Sequence, residues 1–325
     1  MRSPLAHAAA ALLALSLAGA TTACADVEDD EFAAEQELAA KGKNKKGDKK
    51  GDAKTAAPAA HRFSVVQHNV GGGAENGGTG DALAYTFAQI DEKKPDVVML
   101  EEMCFDQFEA FKARFKGWEA HFTPMLATHE ACANKAKGQV LASPRNLQNY
   151  VTHDLGDPDG DKKFTLSCAN VPMPQTSRSV LACVTHLRIY NDDDGAARTR
   201  QAQRIAAALN DDVRNGKAVV FGGDLNSNPD KPYLDPVYRL TRDGQANGGK
   251  FDEGDQTDPD RARNAMRGVK CMENACRSGA DTSASGPKFD YVFFSHNRAV
   301  TVGAQPLGRG GSGHKLYHAW ADLDL

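Results

Sequence analysis

Six times along this chain, a short apolar run of strand character is punctuated at one end by a carboxylate, a carboxamide or an imidazole. Four runs end in Gln67-His68-Asn69, Leu100-Glu101-Glu102, Val184-Thr185-His186 and Gly223-Asp224-Leu225-Asn226. A fifth begins at Asp290, and Ser312-Gly313-His314 stands just before the last. Ligand crevices in α/β sheets form at strand ends. These side chains, which can hold a hard cation or move a proton, are therefore candidates for one shared cleft. Packing alone gives no reason for so regular a placement.

Helical stripes separate the strands. Asp81 is placed to cap a helix with Leu83, Phe87 and Ile90 on one face. Phe105, Phe108, Phe111 and Phe115 repeat at helical spacing, and Ile205 and Leu209 mark the core side of a helix over residues 196–209. Residues 95–100 form a continuously apolar strand, as expected when both faces are covered. Residues 149–155 and 163–168 flank an acidic turn at 156–161. Its glycine is misplaced for an EF-hand, so it reads as a hairpin turn. Residues 179–186, 217–222, 290–295 and 315–325 supply further strands. The loop at 71–80 lacks the G-x-G-x-x-G spacing of a nucleotide cradle, and residues 191–195 read as a solvated, capping loop. Strands interleaved with helices predict a layered α/β sandwich.

Five segments carry a family resemblance. Val65-Val66-Gln67-His68-Asn69 is similar to a first-strand W-N motif, with His68 in place of the Trp. Pro95-Asp96-Val97-Val98-Met99-Leu100-Glu101-Glu102 resembles P-D-V-V-x-L-Q-E, Thr185-His186-Leu187 resembles T-H-L, and Gly222-Gly223-Asp224-Leu225-Asn226 resembles G-D-x-N. Lys288-Phe289-Asp290-Tyr291-Val292 resembles K-I-D-Y-V. Together they resemble the endonuclease/exonuclease/phosphatase superfamily, whose members include deoxyribonuclease I-like nucleases, sphingomyelinases and inositol polyphosphate phosphatases. The closing S-D-H motif departs: Ser312-Gly313-His314 keeps the His and lacks the acid, and His318 is a second candidate for the histidine.

The resemblance implies a four-layer α/β sandwich of two mixed, mainly antiparallel sheets flanked by helices. It also implies a metal-dependent phosphodiesterase, most simply an endonuclease acting on DNA or RNA. Asn69 and Glu102 would hold a divalent cation, Mg²⁺ first and Mn²⁺ or Ca²⁺ as alternatives, because oxygen donors suit hard ions. His314, oriented by Asp290, would activate water. His186 would act as acid or bind the phosphate, and Asp224 and Asn226 would position the nucleophile and a phosphate oxygen. The alternatives are a sphingomyelinase- or phospholipase C-like enzyme taking a phospholipid head group, and an inactive surface-binding module.

Ahead of this domain, residues 1–25 read as an export signal: Arg2, an apolar stretch over residues 5–20, then small residues. Ala23-Cys24-Ala25 fits signal cleavage, while Thr21-Thr22-Ala23-Cys24 resembles a bacterial lipobox that would attach the chain to membrane through lipidated Cys24. Residues 26–60 carry acidic and then lysine-rich runs with too little apolar surface to fold, and read as a disordered tether. The expectation is a monomer, secreted or lipid-anchored at the cell envelope, with its domain over 61–325. The net charge of −4 leaves the folded part slightly acidic, so affinity for phosphates must be local. Setting Cys24 aside, six cysteines remain, an even number that suggests disulfides in an exported chain. Cys168 could face Cys183 across a hairpin, Cys271 and Cys276 would close a short loop, and Cys104 and Cys132 are left over. No C-x-x-C pair supports zinc.

Overall fold

Alternation of period two decides how the sheets stack. In β1 (His61–Asn69), Val65 packs into one apolar cluster and Val66 into another. In β2 (Val97–Cys104), Val97 and Met99 join the first cluster, while Val98, Leu100 and Met103 join the second. Strands β7 (Ser179–His186) and β8 (Ala218–Asp224) divide the same way: Ala182, Val184 and Val220 face the first cluster, Leu181, Cys183 and Phe221 a third. The shared cluster is the filling between two sheets. The others lie under the outer helices α1 (Ala82–Lys93), α2 (Phe105–Arg114) and α3 (Ala196–Arg214). The molecule is a four-layer α/β sandwich.

This computed structural model describes residues 60–73, 81–174, 176–189, 195–240, 247–256, 277 and 279–325. The leader, the tether, most of the glycine-rich loop, residues 191–194, and Cys271 and Cys276 lie outside the described residues. The remaining strands are β3 (Glu119–His129), β4 (Lys135–Ser143), β5 (Gln148–Asp154), β6 (Thr165–Pro172), β9 (Phe251–Glu253), β10 (Asp290–Ser295), β11 (Ala299–Pro306) and β12 (Tyr317–Leu323). One sheet has the order β11-β12-β1-β2-β4-β3 and the other β5-β6-β7-β8-β10-β9. Each holds a single parallel pair, β1 with β2 and β7 with β8, whose crossovers carry α1 and α3. All other pairings are antiparallel.

Three local expectations need correction. The third helix runs on to Arg214, past the expected end at 209, and buries Val213 as well. Asp81 occupies the N-cap position of α1, but its side chain makes no capping bond. The second strand does not stop at Glu102 and continues to Cys104. The hairpin at 156–161 forms, and Asp157 within it also pairs with Arg200 and Arg204, tying the turn to α3. Disulfides join Cys104 to Cys132 and Cys168 to Cys183, the second directly across the β6–β7 pair.

Candidate active site

Register places the polar strand ends side by side. In the second sheet His186 is paired with Asp224 across the β7–β8 ladder, and Asp224 with Asp290 across β8–β10. All three share the parity of Val184, Val220 and Val292, so they face inward, toward the other sheet. Opposite them, Asn69 ends β1 with the parity of Val65.

Glu102 reaches the cleft through a break in alternation. The β2–β4 register shifts between Leu100 and Met103, and Glu102 adopts a φ of 56°. A bulge of this kind re-aims side chains. Leu100 and Met103 both stay in the outer cluster, while Glu101 and Glu102, both buried, occupy the extra space between them. The glycine at 72 permits the close packing: a Cβ there would lie 2.3 Å from the Glu102 carbonyl oxygen.

His314 comes from the loop before β12. Ser312 Oγ donates to the Asn69 carbonyl (2.5 Å) and accepts from the His314 amide (3.0 Å). His68, the residue in the family's Trp position, is buried and lies 3.2 Å (Nε2) from the His314 carbonyl and 2.8 Å (Nδ1) from Thr86 Oγ1. Burial holds its pKa down at about 4. Thr86 Oγ1 in turn donates to the Ala82 carbonyl (2.9 Å). His318 lies elsewhere, on β12 against Ser64 and Trp320.

The side chains so assembled form one connected set. Asp290 Oδ2 accepts from His314 Nδ1 (2.8 Å), and His314 Nε2 stands 3.6 Å from Asp224 Oδ2. Asn69 Nδ2 donates to Asp224 Oδ2 (3.0 Å), and the Asn226 amide N–H donates to Asp224 Oδ1 (2.9 Å). Asn226 Nδ2 contacts both the Leu187 carbonyl (3.0 Å) and His186 Nε2 (3.1 Å). The carbonyl fixes the amide orientation, so His186 Nε2 accepts and its proton sits on Nδ1. His186 Nε2 is 3.7 Å from Asp224 and 3.8 Å from Glu102. All seven residues expected from the sequence therefore meet in one cleft.

Lys137 and Thr282 escaped the sequence reading, and Gln67 and Glu101, named there as strand-end residues, join the set through new partners. Lys137 of β4 donates to Glu102 Oε2 (2.9 Å). Gln67 Nε2 donates both to Glu101 Oε2 (2.7 Å) and to Asp290 Oδ1 (3.1 Å), and Thr282 Oγ1 accepts the Asp290 amide (3.0 Å). Gln67 and Glu101 stood in quoted motifs, but nothing in the sequence joined them to Asp290. Lys137 had no motif at all.

Burial governs the charges. It raises Glu102 above the usual carboxyl range, and it lifts Asp224 to about 6, with Asp290 nearby adding to the lift. It lowers His186 well below its ordinary value, helped by Lys162 and Lys137, so that ring is neutral at pH 7. Burial also opposes charge on His314, but Asp290 and Asp224 outweigh it and hold its pKa up at about 10. The same attraction keeps Asp290 below its ordinary value despite its burial. Buried carboxylates crowded this closely are costly unless a cation offsets them. The donors are carboxylates and a carboxamide, hard ligands suited to Mg²⁺, Mn²⁺ or Ca²⁺. Asp224, Asp290 and His314 present ligand atoms within 4.8 Å of one another, Asn69 contacts Asp224, and Glu102 lies 3.8 Å from His186. The site thus fits a divalent ion.

A family model described as the Endonuclease/Exonuclease/phosphatase family matches residues 66–312, a span that contains the strand ends just described except His314. The chain belongs to this family. Among solved structures with the same fold, the human Nocturnin catalytic domain with bound sulfate is 16% identical, with a TM-score of 0.57 over 81% of this chain and 95% of that one. An endonuclease/exonuclease/phosphatase from Bacteroides vulgatus is 13% identical, with a TM-score of 0.56 over 81% and 100%. D. rerio TDP2 complexed with a single-strand DNA product is 14% identical, with a TM-score of 0.54 over 80% and 98%. Among curated proteins, none is detectably similar in sequence. Against the family pattern, this member has Gly313 where an acid is expected, and the Gly313 carbonyl accepts the Ala284 amide (2.7 Å).

Proposed function

We propose that this protein is an exported, divalent-metal-dependent phosphodiesterase that hydrolyses nucleic-acid phosphodiester bonds. The observation that carries the proposal is the convergence of Glu102, Asn69, His186, Asp224, Asn226, Asp290 and His314 on one cleft. Membership of a family of phosphoric-ester hydrolases supports hydrolysis, and the DNA product bound by D. rerio TDP2 supports a nucleic-acid substrate. The leader-like N-terminus and the two disulfides support export.

Each side chain has work suited to its position. A divalent ion held by Glu102 and Asn69 would polarise a phosphoryl oxygen and offset the carboxylate charge that keeps His314 protonated. Once neutral, His314 keeps its Nδ1 proton on Asp290 and presents Nε2 to the cleft as a base for water. Asp224, fixed by Asn69 and Asn226, orients that water. His186, held at Nε2 by Asn226, faces the phosphate or leaving group.

The test is a substrate panel with and without chelator. Nicking of plasmid DNA with Mg²⁺, Mn²⁺ or Ca²⁺, abolished by chelator and crippled by separate His186→Ala and Asp224→Ala changes, is the expected result. Intact DNA alongside cleavage of a choline phospholipid would replace the nuclease with a lipid hydrolase. Gly313 and the Lys137–Glu102 pair favour a second reading, a binding module on the same fold. Turnover of no phosphoester tested would leave that one standing.

A further inference from the structure

Beside the site lies a cleft of about 430 Å³, bounded at one end by Glu102 and His186. That volume falls in the range of small-molecule pockets, roughly 300–1,000 Å³. His129 also lines it, and the rest of its wall is of two kinds. Met125, Leu126 and Ile189 give an apolar surface, and Ile189 is 41% exposed, so that surface is open to an incoming group. Lys162 gives positive charge, and Lys137, whose pKa burial brings down to about 7, adds a second amine. Lys137 is engaged with Glu102. Lys162 is half-buried, with its ammonium 5.4 Å from the Phe164 ring centroid; among the described residues it forms no ion pair within 4 Å, and its charge reaches Glu102 only at longer range.

Resting on the hydrolytic reading above, we infer that this cleft is a specificity subsite for a substrate whose group beyond the scissile phosphate joins an apolar body to a second fixed negative charge, as a nucleoside phosphate does. The apolar wall takes the base or sugar face, and Lys162 takes the second phosphate. The same lining rejects a choline head group. A quaternary ammonium there would meet the Lys162 ammonium, and the described lining includes no Phe, Tyr or Trp to stack on it.

Binding can be read without turnover. Isothermal titration of the full-length protein, with chelator present, would compare thymidine 3′,5′-bisphosphate, thymidine 5′-monophosphate and phosphocholine. The bisphosphate should bind about fivefold or more tighter than the monophosphate, and phosphocholine weakest. Lys162→Gln should erase the advantage of the bisphosphate, and Lys162→Arg, which keeps the charge, should retain it. Equal affinity for the two thymidine ligands in the parent protein overturns the subsite. So does phosphocholine binding as tightly as the monophosphate, or an advantage that survives Lys162→Gln. The expected binding order in a protein that hydrolyses nothing would instead sink the hydrolytic reading and leave the subsite in place.

Discussion

Asp224 is the residue on which the cleft turns. It is the register partner of both His186 and Asp290, accepts from Asn69 and Asn226, and faces His314. Asp224→Asn, nearly isosteric, should leave the fold intact and lower kcat by about 10²–10⁴-fold, checked by steady-state kinetics beside a thermal melt. Its titration gives a second prediction. A carboxyl whose folded pKa is raised to about 6 adds stability that is fully present below its unfolded value near 4 and lost as pH rises through 6. A divalent ion held beside it by Glu102 and Asn69 is attracted by the ionised form, so its affinity should fall as pH drops through about 6. The thermal shift produced by Mg²⁺ or Mn²⁺ should be larger near pH 7.5 than near pH 5. Equal shifts at both would mean the ion binds elsewhere.

Elements carry these residues only because of two local irregularities. One is the bulge that turns Glu102 inward beside Glu101. The other is at Gly223, where φ is 145° and a Cβ would lie 1.7 Å from the Thr185 carbonyl oxygen. Gly223→Ala should force β7 and β8 apart, cost about 3 kcal/mol in urea unfolding, and lower activity through the displaced Asp224. Much of this level was legible beforehand. The strands at 179–186 and 290–295 are found with those bounds, because each is an apolar run ending or beginning at a polar residue. Strands β3, β9 and β11 were missed for a physical reason. All three are sheet edges: half-exposed positions blur the alternation of β3 and β11, β3 carries Pro124 within it, and β9 is only three residues long. Strand β4 lies inside its sheet, but Lys137-Gly138-Gln139 hides its start. The bulge was illegible because a register slip belongs to two strands at once. Lys137 was illegible because its partner is 35 residues away. His68 looked like a lost Trp, yet its ring supports the His314 backbone.

The whole molecule repeats one plan twice: two six-stranded sheets of matching order, each with one parallel pair in its middle. The cleft draws Asn69 and Glu102 from one sheet and His186, Asp224 and Asp290 from the other, and deeper down a largely apolar filling is crossed by a few buried polar bonds such as Gln139–Ser167 and Tyr317–Glu253. The Cys168–Cys183 bridge sits on the outer face of the second sheet, beneath α3, away from that cleft. Replacing both cysteines with alanine should lower unfolding free energy by about 3 kcal/mol, from chemical denaturation, and leave kcat unchanged well below the melt. Closure of the fold falls to the two ends of the domain. His61–Gln67 zips against Tyr317–Leu323, and His314 arrives only just ahead of that last strand. A ribosome must therefore deliver the chain through this last strand before the cleft can be complete, and a copy terminated ahead of it lacks the cleft by construction.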